Sequence, residues 1–422
     1  MYKQSIAVIG AGISGIAAAY NLQRHNRVTL FEAQREIGGH ANTVCVSENT
    51  TGRELNIDTG FIVLNNKNYP LFTDFLRALN VRTKPSDMSF SYTNESRKQC
   101  YAGTRQGVFP ELRKVADINH ITMLYKILRY SKVLQISLRA DLPKNISIYD
   151  YLTLKGCPQD IIQHYFIPIA SAIWSCDIRN ASDIPASAYI TFFANHGLLD
   201  IIGKPQWYTI NGGSREYLRR FEKVFNGRII KNAPIREVLD LGDHVRVHSN
   251  CESDARFDQV VVATHADTAV RIVDRLPAHK SSILRSQKYT DNSVFLHTDI
   301  TLMPKNHNLW ASWNVIAYPD YANSNLTYTT YYMNRLQRIN SRTSYLISVN
   351  PPVRPRGPHV LYETTYSHPI LSKPWDMKER DIFSLNEGGR VYFCGSYLGY
   401  GFHEDGYKSG KTTAQILMDN NA

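Results

Sequence analysis

The chain has 422 residues, a length that at roughly 100–200 residues per domain implies two or three domains and excludes a small disulfide- or metal-held module. Lysine plus arginine number 48 against 37 acidic residues, a surplus of 11 positive charges, yet 43% of residues are hydrophobic and 20% charged, which excludes a disordered basic tail. The six cysteines are scattered with no C-x-x-C pair, which argues against a zinc ribbon or a thioredoxin-type centre and fits reduced thiols in a cytosolic protein.

No K/R-rich run, zinc-finger spacing or RNA-binding pattern is present, so the positive surplus points to an anionic membrane surface or a phosphate-bearing ligand, not to nucleic acid. No stretch approaches the roughly 18 consecutive apolar residues of a bilayer span. Lys3 and the apolar run to Ala19 imitate a signal peptide, but glycines at 10, 12 and 15 interrupt the run and mark it as folded structure.

In chain order, Ser5–Ile9 is a short β-branched run, and Ile13 to Arg24 has an alanine-rich helical pattern. Between them lies Gly10-Ala11-Gly12-Ile13-Ser14-Gly15, a G-x-G-x-x-G arrangement. Gly10 permits the tight turn, Gly12 lets a pyrophosphate approach the backbone, Gly15 lets helix lie on strand, and the helix start at Ile13 and Ser14 offers unpaired N–H groups. A second strand, Arg27 to Phe31, ends at Glu32, whose carboxylate suits two ribose hydroxyls; an acid there also argues against a 2′-phosphate. The glycine pair Gly38-Gly39 before His40, and Leu55 to Gly60 with its Thr59-Gly60 turn, supply further backbone for an extended cofactor.

Val115 to Arg139 is the longest helical candidate. Within it Ile121, Leu124, Ile127, Leu128, Leu134 and Leu138 share a face, with Lys126, Arg129, Lys132 and Arg139 elsewhere and no acid, a pattern open to a covering helix or an interfacial one. His196 in Asn195-His196-Gly197 falls where a glycine C-cap is expected. Asn211-Gly212-Gly213-Ser214 precedes an amphipathic helix from Glu216 to Phe225, followed by a hairpin-like Ile229 to Val247 and a strand Val260 to Thr264. Residues 273–385 are rich in Tyr, Thr, Asn and Val, as a sheet would be, and Pro351 to Pro358 is a loop or polyproline stretch. Val391 to Ser396 and a closing helix after Glu404 end the series. Neither an H-E-x-x-H metal site nor a G-x-S-x-G nucleophile elbow is present.

The glycine turn, the acid at 32 and the Gly38-Gly39 pair together resemble the opening of the flavin-containing amine oxidase superfamily, which includes protoporphyrinogen oxidase and phytoene-desaturase-like enzymes. The later segments extend the likeness over essentially the whole chain. Asp58 to Val63, Pro85 to Phe90, Asn195 to Leu199, Ala263 to Asp267 and Gly399 to Gly406 are similar to a bacterial-type subgroup of NAD/FAD-binding oxidoreductases within it.

The resemblance implies an α/β fold, a Rossmann-like FAD-binding domain with a second, α+β substrate domain. The FAD domain would comprise residues 1–84, 206–272 and 386–422, and the substrate domain 85–205 and 273–385. It implies FAD contacts at Gly10, Gly12, Ile13, Ser14, Gly15, Glu32, Ala33, Gly39, His40, Thr59 and Gly60. It implies backbone contact to the adenine at Ile235, and an approach to the ribityl chain and flavin by Gly395, Ser396, Asp405, Gly406 and Tyr407. His40 departs from the arginine usual in the family, which implies a weaker or pH-dependent hold on the diphosphate and ribityl region. The positive surplus would serve the diphosphate in part and collect on the basic helix in part.

Amine oxidases of the family often carry a lysine near flavin N5 on a strand corresponding to Ser293 to His297, which holds none. His297 and His196 are the candidate proton-handling residues. Trp174, Tyr397, Tyr400 and Phe402 are expected to line the substrate pocket, with Trp207, Trp310 and Trp313 as further candidates.

The leading expectation is an FAD-dependent oxidoreductase that dehydrogenates, desaturates or isomerises a hydrophobic substrate such as a lipid acyl chain or isoprenoid. The alternatives are a flavin amine oxidase, and a non-catalytic flavin-binding assembly or lipid-binding factor. A cytoplasmic location is expected, with peripheral contact to the anionic inner membrane surface.

Overall fold

The computed structural model describes residues 3–48, 51–95, 99–138, 142, 145–200, 204–250, 254–317, 327–371 and 378–420. Arg139, named above, and Cys251, one of the six cysteines, lie outside them. The five described cysteines are free thiols.

The β-branched runs read from the sequence assemble into one five-stranded parallel sheet ordered Val391–Phe393, Gln259–Val262, Ser5–Ile9, Arg27–Phe31, Arg228–Ile230. Its inner strands are apolar without alternation because both faces are covered, so Val260, Val261 and Val262 are all fully buried. The helix Ile13–Leu22 and the closing helix His403–Asp419 pack on one another at backbone distance: a Cβ on Gly410 would stand 2.0 Å from the carbonyl oxygen of Ser14.

The hairpin starts later than the sequence suggested. Ile229 pairs with Leu30 in the parallel sheet, and after the turn at Asn232, Ala233 and Pro234 the chain forms a separate three-stranded sheet from Ile235–Asp240, Val245–Ser249 and Ala255–Phe257. Asn232 adopts φ +54, which breaks the strand.

A seven-stranded sheet runs Val360–Ile370, Lys288–His297, Leu346–Val349, Thr327–Tyr332, Trp313–Ala317, Phe90–Asn94, Gln99–Ala102. It is antiparallel except where Trp313–Ala317 meets Phe90–Asn94. Five of its strands come from residues 288–370; the other two come from the mainly helical insertion, whose start alternates Phe and Tyr with Ser and Thr as a half-buried strand does. The remaining insertion packs its helices around Leu134, Ile148, Leu152, Phe166, Tyr189 and Phe193, and Tyr400 and Phe402 from the closing segment join that core.

Where the chain passes between the two sheets, Thr83–Ser86 pairs antiparallel with Trp207–Ile210. A buried polar knot secures the same junction. Asp58 Oδ1 accepts hydrogen bonds from Thr43 Oγ1 (2.6 Å), the Ser214 N–H (2.7 Å) and Ser214 Oγ (2.9 Å), while Oδ2 accepts from Gln337 Nε2 (2.7 Å). Burial lifts this carboxyl to about 6 against the pull of those donors. Asp58→Ala strands several buried donors at once, so urea unfolding should show a loss of about 3 kcal/mol or more, with Asp58→Asn losing less. Among the described residues no helix is long and apolar enough to cross a membrane.

Candidate active site

A single cavity of about 1530 Å³ runs from the glycine turn through the interface of the two sheets into the helical insertion. That exceeds the roughly 300–1,000 Å³ of a one-ligand pocket, so there is room for an extended cofactor and a second molecule.

The cofactor end is built at the carboxyl edge of the parallel sheet, where open α/β sheets place ligands. Gly10, Gly12, Ile13, Ser14, Glu32, Ala33, Gly39, His40, Thr59, Gly60, Ile235, Gly395 and Ser396 all line it. Gly12 is the helix N-cap at φ −71, a conformation open to any residue, and a Cβ there would meet no heavy atom within 4 Å. Neither the backbone nor packing within the protein therefore demands glycine at this position. The helix N-terminus has no side-chain cap. Glu32 is held in place because its two oxygens accept the Ala11 and Gln34 N–H groups, each at 2.9 Å, and each keeps acceptor capacity for a hydroxyl.

Around His40 the structure gathers a group that the sequence did not reveal. The His40 ring lies 5.9 Å from His265, 5.2 Å from His368 and 4.9 Å from Tyr366, and His265 stacks on Tyr289 at 4.6 Å. One ring N–H of His40 donates to the Ser367 carbonyl, and its Nε2 is buried without a partner. Burial first, then the neighbouring histidines, hold His40 well below its ordinary value; burial also lowers His265 and brings His368 to about 4. His265 stands three residues after the parallel strand Gln259–Val262, at the N-cap of the next helix, a position that could have marked it; His368 sits on a distant strand with no local pattern. Among the described residues lining the cavity, the only Lys or Arg side chains are Lys132 and Lys204, both at the far mouth with Asp200. The positive surplus therefore does not line the cofactor end as the sequence reading supposed.

Three expected cofactor residues support the site from behind. Asp405 Oδ2 accepts the Phe402 N–H at 2.9 Å and its carboxyl is buried and lifted to about 6; Gly406 packs on Ile13; and the Tyr407 ring lies 5.0 Å from Phe75 in the core. Gly15 likewise faces the strand, since a Cβ on it would lie 1.8 Å from the Gly10 carbonyl oxygen.

Trp174, Tyr400 and Phe402 line the inner chamber together with Phe192, Trp207 and Trp313, whereas Tyr397, expected there, lines the cavity at the cofactor end, packed with Ile9, Phe31 and Phe393. Trp174 Nε1 donates to the Tyr400 carbonyl, and Phe192 lies 4.9 Å from Phe402. Trp310 is elsewhere, stacked on His307 with Nε1 bound to the Pro304 carbonyl. His196 reaches the chamber: the helix ends at Asn195, Gly197 takes φ +66, and the ring stacks on Phe192 at 3.8 Å. Its Nδ1–H donates to the Phe192 carbonyl, so Nε2 is the acceptor, and burial lowers the group to about 4. His297 does not take part. It is buried in its strand, bound to Ser348 Oγ at 2.8 Å and accepting the Asp299 N–H, because the strand's alternation turns it away from the cavity.

A parallel dinucleotide-type sheet, a second sheet and one cavity joining them make a two-domain α/β fold of the dinucleotide-binding class. The chain belongs to the flavin containing amine oxidoreductase family, whose model matches residues 13–339. Solved structures with the same fold include putrescine oxidase bound to putrescine (15% identity, TM-score 0.71, 99% of each chain) and cyclohexylamine oxidase from Brevibacterium oxydans IH-35A (15%, 0.69, 100% of each). A CLA-producing fatty acid isomerase from P. acnes is similar at 13% identity and TM-score 0.66, over 99% of this chain and 98% of that one. The mitochondrial protoporphyrinogen oxidase of Nicotiana tabacum is 55% identical over 40 residues, which is 9% of this chain and 8% of that protein.

Proposed function

We propose that the chain binds FAD and oxidises a C–H bond of a predominantly apolar amine. The observation that carries this is the inner chamber: walls of Trp174, Phe192, Trp207, Trp313, Tyr400 and Phe402, where among the described residues the only lining carboxylate, lysine or arginine side chains are Asp200, Lys132 and Lys204, Glu32 lying at the cofactor end. A dication would be stripped of water there with no partner, whereas a monoamine carrying a ring or chain exchanges water for aromatic surface. The family model and the likeness to cyclohexylamine oxidase support the amine.

FAD, when bound, supplies the hydride acceptor. The protein's own residues do the rest. The open helix start at Gly12 to Ser14 and Glu32 hold the cofactor's diphosphate and ribose, the aromatic walls orient the substrate and exclude water, and His196 Nε2 accepts a hydrogen bond from a neutral amine.

A second reading, oxidation or isomerisation of a lipid acyl chain or isoprenoid, is favoured by Phe402, which brings no hydroxyl to the wall, and by the likeness to the fatty acid isomerase. Anaerobic titration of the FAD-loaded protein separates the two. Cyclic and long-chain monoamines should bleach the flavin absorbance faster than putrescine; bleaching or product formation with unsaturated lipids alone would favour the second reading, and no response to either panel would overturn both.

A further inference from the structure

The long basic helix, Ile118–Ser137, is not buried along the face that its sequence suggested. Ile127 and Leu134 pack inward, while Leu112, Val115, Ile118, Ile121, Tyr125 and Leu128 are exposed, Leu112 at 94% and Ile118 at 77%. The four in the helix, Ile118, Ile121, Tyr125 and Leu128, recur every three or four residues and so form one outward apolar stripe, and Leu112 and Val115 add exposed apolar surface in the short 3-10 turn (Leu112–Val115) just before it. The clustering is not a general property of the surface: among the described residues, nine of the sixteen large exposed apolar side chains fall between Phe109 and Leu138. Monomeric proteins seldom leave such a patch uncovered.

Two features identify what covers it. The helix holds Lys126, Arg129 and Lys132 and no acid; Lys126 reaches Asp160 at 3.8 Å, but among the described residues Arg129 and Lys132 form no ion pair. A second copy seated symmetrically on the stripe would bring these cations against their own images, whereas an anionic surface neutralises them. The cavity also opens here: Leu124, Leu128 and Lys132 line its mouth, so Leu128 belongs both to the exposed stripe and to the entrance.

We propose that this stripe lies in the interface of an anionic lipid bilayer, with Leu112, Ile118, Ile121 and Tyr125 among the acyl chains, Arg129 and Lys132 at the headgroups, and the cavity mouth facing the membrane. An apolar substrate then passes from bilayer to chamber without crossing water. The docking itself is independent of which bond is oxidised.

Co-sedimentation of the FAD-loaded protein tests it, using vesicles of phosphatidylcholine alone and of phosphatidylcholine with one third phosphatidylglycerol. The wild type should pellet with the anionic vesicles and much less with the neutral ones. The combined Leu112→Ser, Ile118→Ser, Tyr125→Ser variant should partition about tenfold less or weaker still, with thermal midpoint and flavin retention unchanged because all three side chains are exposed. Arg129→Gln and Lys132→Gln should each cost about fivefold, an independent arm if the triple variant folds poorly. Wild type left in the supernatant, equal binding to both vesicle types, or undiminished binding of the triple variant would overturn the proposal. So would a stripe-dependent dimer in sedimentation velocity without vesicle binding.

Discussion

Gly12→Ala is expected to give a protein as stable as the wild type without cofactor but with FAD affinity about tenfold weaker or worse. The backbone at Gly12 has φ −71 and ψ 179, which alanine adopts freely, and the new methyl group would meet nothing within 4 Å. Apo stability is therefore untouched. The methyl group would stand where a diphosphate must approach the helix N-terminus, and overpacking of that kind costs roughly 1–3 kcal/mol.

Gly15→Ala is the internal contrast. Its Cβ would lie 1.8 Å from the Gly10 carbonyl oxygen and 3.0 Å from the Gly10 carbonyl carbon, so strand and helix must separate before any ligand is considered. A stability loss of about 3 kcal/mol is expected, with FAD binding lost alongside it. Denaturant unfolding with and without FAD reads both quantities. Equal FAD affinity in Gly12→Ala and wild type would remove the assignment of that turn to the cofactor.

The second large effect is on pH. With no Lys or Arg lining the cofactor end among the described residues, the charge of a diphosphate falls to backbone N–H groups and to His40, His265 and His368. Around them stand His403, Tyr366 and Tyr289, with Asp267 and Asp291 acting on His265. Without cofactor burial lowers all three imidazoles; neighbouring histidines lower His40 and His368 further, while Asp267 and Asp291 pull His265 back up. A nearby dianion favours the protonated form, so binding takes up protons and FAD affinity should rise as pH falls from 8 toward 5.5, by up to about tenfold per unit for each proton.

Stability without cofactor moves the other way. A histidine lowered from 6.5 to about 4, as at His368 and His196, contributes stability that is complete above pH 6.5 and lost as pH falls toward 4. Buried Asp58 and Asp405, lifted to about 6, offset part of that loss over the same range. The rise in thermal midpoint produced by FAD should therefore grow on acidification. His40→Arg should bind FAD more tightly at pH 8 and flatten the profile. A dissociation constant that does not change with pH in the wild type would exclude the histidine group from diphosphate binding.

The parts of the site legible in the sequence are those written in consecutive residues. Gly10 to Gly15 between a β-branched run and an alanine-rich one, and Glu32 at the end of the next strand, specify their own turn, helix start and acceptor, so Gly10, Gly12, Ile13, Ser14 and Glu32 stand at the cavity while Gly15 lets the helix lie on the strand. Periodicity was less decisive for the long helix. Its apolar residues cover more than one face, and which part is buried depends on the partner: Ile127 and Leu134 met the core of the insertion, while Ile121 and Leu128 did not. The closing helix shows the same limit. Asp405, Gly406 and Tyr407 follow the expected motif, but the helix start carries Phe402 and His403 to the cavity while Asp405, Gly406 and Tyr407 do not line it.

The sequence by itself determined the dinucleotide turn, the family and the apolar character of the substrate side, because each rests on residues close in the chain or on composition. Only the tertiary structure decided that His40, His265 and His368 form one group in place of an arginine, that His196 reaches the chamber while His297 does not, and that an exposed apolar stripe meets the cavity mouth. These depend on sheet order and on contacts between segments hundreds of residues apart, and local propensity carries no record of either.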